Sequence, residues 1–166
     1  MATPDFFGIK ERIVAILQDD ATIYSATPSD KTTLRKIEAG APSPKAIDEP
    51  PLPRCWVTND QLMANITPLA SVQNNTSLGE DYDYRINVIF VVEAKDGPKT
   101  EEDIDDFTQN IITQLETNYD LRAVGGAEST RLADETRVVQ ITELPSMFKG
   151  DRVKGRVIKF RVRVAS

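Results

Sequence analysis

The chain of 166 residues has no histidine and a single cysteine, Cys55. Without histidine there is no Ser/His or Cys/His nucleophile pair, no His-ligated metal and no imidazole switch near neutral pH. One cysteine makes neither an intrachain disulfide nor a thiolate metal cluster. Long apolar runs are also lacking. The longest, Ile13–Leu17 and Val88–Val92, hold five residues each, against the ~20 that a membrane helix needs. The opening Met-Ala-Thr-Pro-Asp has neither the basic start nor the apolar stretch of a signal peptide. The expectation is synthesis in the cytoplasm and no membrane partner. Asn65-Ile-Thr and Asn74-Asn-Thr then read as chance matches to the glycosylation pattern.

What is present is enough for one domain spanning residues 1–166. Hydrophobic residues make up 40% of the chain, which argues against global disorder. The net charge of −6 is unevenly spread. Residues 145–166 carry seven basic side chains and one acid, a net +6, and the rest carries 13 basic and 25 acidic residues, a net −12. Net acidity speaks against nucleic-acid binding over the whole surface.

Hydrophobic spacing supplies the elements. A helix is expected over Pro4–Asp19, with Thr3 as N-cap, Pro4 in the first helical position and Asp5 complementing the helix dipole. Phe6, Ile9, Ile13, Ile16 and Leu17 form its core stripe, and Lys10, Glu11 and Gln18 its opposite side. Residues 20–53 read as mostly irregular, with a short strand near Thr33–Ile37. Five of the ten prolines fall between Pro42 and Pro53, which favours an extended spacer or surface strap. Arg54–Thr58 reads as a short buried strand. Asn59 to about Asp81 is a second long connection. Both connections read either as surface loops or as arms that order against other subunits.

Tyr82–Ala94 is the clearest strand, with Ile86, Val88, Phe90 and Val92 on one face and Arg85, Asn87, Ile89 and Val91 on the other. After a turn at Lys95-Asp-Gly-Pro-Lys, a helix is expected over Glu101–Asn118, with Thr100 and Asp103 as an approximate capping box. Ile104, Phe107, Ile111 and Leu115 form its stripe, with Ile112 and Tyr119 flanking. The final strands are Arg137–Leu144 and Val153–Val164. The last one alternates strongly: Ile158, Phe160, Val162 and Val164 face one way, Val157, Lys159, Arg161 and Arg163 the other. This order predicts an α+β fold: a mainly antiparallel open sheet, two main helices on one face, and long extended loops. Open edges are potential pairing sites for other subunits.

No catalytic, metal-binding or cofactor site can be assembled from these residues. Cys55 reads as a core thiol. Glu80, Asp81 and Asp83 read as solvated acids where a loop enters a strand, and the acids of Glu101–Asp106 as helix N-terminal residues rather than a calcium loop. The unusual local feature is the row Lys159, Arg161 and Arg163. Like charges in register repel unless solvent, acid or a polyanion sits opposite. Three readings stay open: an exposed or edge strand kept soluble by charge, a salt-bridged subunit contact, and contact with nucleic-acid phosphate.

The layout resembles that of tail terminator (tail completion) proteins of tailed bacteriophages. The residues that carry the likeness are the N-terminal helix Ile9–Leu17, the Pro-rich stretch leading to Cys55-Trp-Val and the strand Ile86-Asn-Val-Ile-Phe-Val-Val. The helix Glu101–Asn118 and the closing strands Val138–Leu144 and Val157–Val164 complete it. The resemblance implies a non-enzymatic virion protein of the tail or neck. It would form a homohexameric ring that caps the tail tube, ends tube polymerisation and joins the tail to the neck or head. Its partners would be copies of itself, the tail tube protein and a neck or head completion protein. Double-stranded DNA would pass through the ring without sequence-specific binding. In that setting Lys159, Arg161 and Arg163 are candidates for subunit or polyanion contact. Met147, Phe148, Lys149 and Arg152 are candidates for the loop that meets tube or neck. The alternatives are another connector, such as a neck or head completion protein, or a small polyanion-binding domain.

Overall fold

The structure, a computed structural model, describes residues 5–25, 33–42, 52–59, 66–69, 81–94, 97–122, 131–144 and 153–165. Among these residues two helices, α1 (Phe6–Gln18) and α2 (Gly97–Thr117), accompany six strands. The strands are β1 (Lys36–Ala39), β2 (Arg54–Asn59), β3 (Ile66–Leu69), β4 (Asp81–Glu93), β5 (Glu135–Glu143) and β6 (Val153–Ala165). The sheet runs β1-β2-β4-β6-β5, with β3 also on β4. Among the six described strands β1 and β2 pair parallel and the other pairings are antiparallel. The fold is therefore α+β, an open and mainly antiparallel sheet, as the spacing of apolar residues predicts.

β4 and β6 pair along their whole length, from Asp81 opposite Ala165 to Glu93 opposite Val153. Both are dense in β-branched and aromatic residues, which suit a pleated surface packed on both sides. β2 and β3 share the other side of β4 in succession: Asn59 lies opposite Ile86, and Ile66 opposite Tyr84. They act as one interrupted strand.

The main core lies between the sheet and the helices. Tyr84, Ile86, Val88, Phe90 and Val92 of β4 and Ile158, Phe160, Val162 and Val164 of β6 face Ile9, Ile13, Ile16 and Leu17 of α1 and Ile104, Phe107, Ile111 and Leu115 of α2. Each large side chain here contributes roughly 1.5–3 kcal/mol by leaving water. Arg12 ties α1 to the segment that follows α2 by donating to the carbonyl of Leu121, at 3.0 Å. Leu121 adopts a left-handed backbone (φ 51°) and is fully buried, so packing of its side chain offsets the strain.

Several boundaries differ from the sequence-based expectation. α1 is capped by Asp5, whose Oδ1 accepts from Gly8 N–H at 2.9 Å, and not by Thr3. The carboxylate rests over Gly8, where a Cβ would require the Asp5 side chain to shift. Lys10 does not lie on an exposed side. It is buried next to the core stripe, three residues before Ile13, with its amine 3.2 Å from Asn59 Oδ1 and over the Phe7 ring. α2 begins at Gly97, so the Thr100 capping box is overturned: Thr100 is a buried residue inside the helix. Pro98 fits this early start, since first-turn N–H groups have no helical acceptor. The acids Glu101–Asp106 consequently lie beyond the first turn.

Residues 20–25 and 33–42 of the first connection contribute to the core, while residues 43–51 of the Pro-rich stretch, read as a spacer or strap, lie outside the described residues. Ile23 and Leu34 are fully buried, Tyr24 bridges Leu34, and the strand sits at Lys36–Ala39, displaced toward the C-terminus from Thr33–Ile37. The second connection likewise contains a strand, β3.

Candidate functional site

The sheet face turned away from the helices is divided in two. At one end it is apolar: Trp56, Ile89, Val91, Val153, Val157 and Leu144 form a second buried cluster. Arg54 lies over the Trp56 ring at 4.9 Å and pairs with Glu38 at 3.2 Å. A hydrogen bond from Lys36 and the two neighbouring cations hold the Glu38 carboxyl below its usual range.

At the other end the same face is charged, and strand register sets the pattern. Arg163 stands opposite Asp83 on one side and Glu135 on the other. In the next row Arg161 stands between Arg85 of β4 and Arg137 of β5, so three arginines cross three adjacent strands. The row after that places Lys159 between Asn87 and Gln140. Five cations and two carboxylates thus share one surface. Lys159, Arg161 and Arg163 point to one side of β6, as its alternation predicts. That strand is interior to the sheet, which overturns the edge-strand reading. Arg85 and Arg137 join them only because of register.

Asp83 holds two of these arginines, Arg85 and Arg161. It is buried, not solvated as its position in the sequence suggests. Its Oδ2 lies 3.1 Å from Arg85 Nη2 and 3.1 Å from Arg161 Nε. The Arg85 contact is a hydrogen bond, whereas the Arg161 Nε–H is not aimed at the oxygen, so that contact is Coulombic. Asp83 Oδ1 and Asn87 Oδ1 are buried and have no hydrogen-bond donor among the described residues. Arg137 pairs with Glu135 at 3.5 Å on the exposed margin, where such a pair contributes about 1 kcal/mol or less. Two carboxylates leave this surface with a net positive charge.

The other candidate groups are structural. Cys55 faces the helix-side core, and burial raises its thiol well above the usual range. Asp105 of the acidic run pairs with Arg156 at 2.7 Å, and Asp103 with Lys99 at 3.7 Å. Among the described residues no three acids or cysteines are placed to hold a metal, and no helix is long and apolar enough to cross a membrane. Tyr84 donates to Asn59 Oδ1 at 2.5 Å, on the same oxygen that Lys10 reaches. Burial pushes the Tyr84 phenol up to about 12 and the Lys10 amine down. Met147, Phe148, Lys149 and Arg152 lie outside the described residues.

No protein-family model matches the chain, and no curated protein matches it.

Proposed function

We propose that the protein is a structural subunit of a tailed-bacteriophage virion, a tail terminator. It forms a ring that caps the tail tube, stops tube growth and joins the tail to the neck. The observation that supports this reading is the order and layering of the elements. A first helix, short edge strands, a long central strand, a second helix and a closing strand pair build an open sheet with both helices on one face. That is the layout whose sequence pattern resembles the terminator family. The closest competing reading within the same class is a neck or head completion protein.

Electron microscopy of the purified protein mixed with tail tube protein tests the function. Tubes of limited length, capped at one end, are the expected result. Tubes of unrestricted length would overturn the terminator reading.

The five-cation surface favours a second property of the same subunit, contact with DNA phosphate. Such contact is independent of sequence and weakens steeply with salt. Binding to duplex DNA should fall when Arg85, Arg161 and Arg163 are changed together to Ser. Unchanged affinity at low salt would remove the polyanion role and leave those residues to subunit contact or solubility.

A further inference from the structure

Four large apolar side chains are strongly exposed among the described residues: Phe7, Tyr119, Val139 and Ile141. Three of them sit at opposite edges of the sheet. Val139 and Ile141 belong to β5, which pairs only with β6 among the described strands. Phe7 belongs to α1, which packs beside β1 at the far edge. There Phe7, Val14 and Ala39 line an open groove of about 500 Å³, with Glu11 and Glu38 on its walls.

The two edges match in several independent ways. Ile141 lies opposite Ile158 and so shares the helix side of the sheet, the side on which Phe7 and Val14 lie. Arg137 lies opposite Arg161 and so shares the other side with Glu38, which lies opposite Trp56. The chain directions also agree. β1 and β2 run one way, β4 the other, β6 with β2, and β5 with β4. When two copies stand side by side with their helices on the same face, β5 of one runs antiparallel to β1 of the next. The ladder of β5 breaks between Val138 and Gln140, where Val139 is the extra residue. A bulge spoils indiscriminate backbone pairing along an edge and leaves side chains to decide the partner.

We propose that the occupant of the groove is a second copy of this chain. Val139 and Ile141 of one copy seat against Phe7 and Val14 of its neighbour, and Arg137 is brought toward the groove wall that holds Glu11 and Glu38, where Glu38 is already paired with Lys36 and Arg54. The contact uses two different patches, so it is heterologous, and repetition closes a ring when the rotation per subunit allows. The inference rests on the ring reading above and adds which surfaces make the contact. It also fixes polarity: every copy turns its five-cation face to the same side of the ring.

The test uses two variants of the full chain, Phe7→Arg and the pair Val139→Arg with Ile141→Arg. All three positions are exposed, so circular dichroism should match the parent; Phe7→Arg also removes the ring beneath the Lys10 amine, so a small drop in thermal stability is expected for that variant alone. By sedimentation or native mass spectrometry, the parent should assemble. Each variant alone should associate at least roughly tenfold more weakly, as expected for loss of a central apolar anchor. Mixed in equal amounts, the two variants should form a dimer and nothing larger, because the mixture contains one intact pair of patches per two chains. A parent that stays monomeric at all concentrations would overturn the ring reading and this contact with it. A parent that assembles while both variants assemble equally well would overturn the contact alone. So would the Phe7→Arg variant dimerising by itself, which would mean a symmetric β5–β5 contact.

Discussion

Lys159 and Phe160 are neighbours in the chain and lie on opposite faces of β6. On the helix side, Phe160 is fully buried in a core that runs the length of the sheet. On the other side, Lys159 stands where an apolar cluster built on Trp56 and Val157 gives way to arginines held by Asp83. One face is specified by volume and the other by charge. Change on the first face acts through cavity and packing, and change on the second acts through which ion is left without its partner.

That contrast can be broken most directly at Phe160. Phe160→Ala should cost about 3–5 kcal/mol in urea unfolding, by lost transfer energy and a residual cavity. A loss below 1 kcal/mol would mean that the helix layer does not rest on this strand as described. Asp83→Ala on the opposite face should cost about 1–3 kcal/mol, because it strands Arg85 and Arg161 over a partly buried surface. Added salt should recover part of that loss, whereas salt should recover none of the Phe160 loss; equal salt responses would abolish the distinction.

A smaller effect is expected at the polar fringe of the helix-side core. The Tyr84 phenol is raised from 10.0 to about 12 in the fold by burial. The folded protein therefore retains a proton that the unfolded chain loses, and stability falls as pH rises from 10 toward 12. Tyr84→Phe should flatten that decline relative to the parent, measured as urea midpoints at pH 9 and pH 11. The same decline in both proteins would show that the tyrosine does not titrate as described. The smallest change should come from Lys159→Ala, within about 0.5–1 kcal/mol of the parent. A larger loss would place Lys159 among the residues that hold the face together.

Much of the fold could be read in the chain because its two longest strands alternate without interruption and its helices carry clean stripes. Ile158, Phe160, Val162 and Val164 needed only the two-residue period. What could not be read depended on partners far away in sequence. Arg137 lies beside Arg161 only once β5 and β6 are in register, and a one-residue slip would send its side chain to the other face. The bulge at Val139 makes that register still harder to infer. Arg85 was visible on the correct face of its strand, but nothing local indicated that it would stand beside Arg161. The charge of Lys10 suggests solvent, whereas its position three residues before Ile13 puts it beside the packed stripe. The start of α2 was masked by Gly97-Pro98, a pair that resembles a turn and here forms a first helical turn.

The position of β6 has a consequence in time. This strand lies inside the sheet, between β4 and β5, yet it is the last of the described elements in chain order, and it pairs with β4 residues that precede it by 60–84 positions. Such distant pairing is slow relative to local structure. β5 is made earlier but has β6 as its only neighbour in the described sheet, so the edge carrying Val139 and Ile141 is not in place until β6 arrives. A partly made chain would therefore lack one of the two surfaces proposed for joining copies.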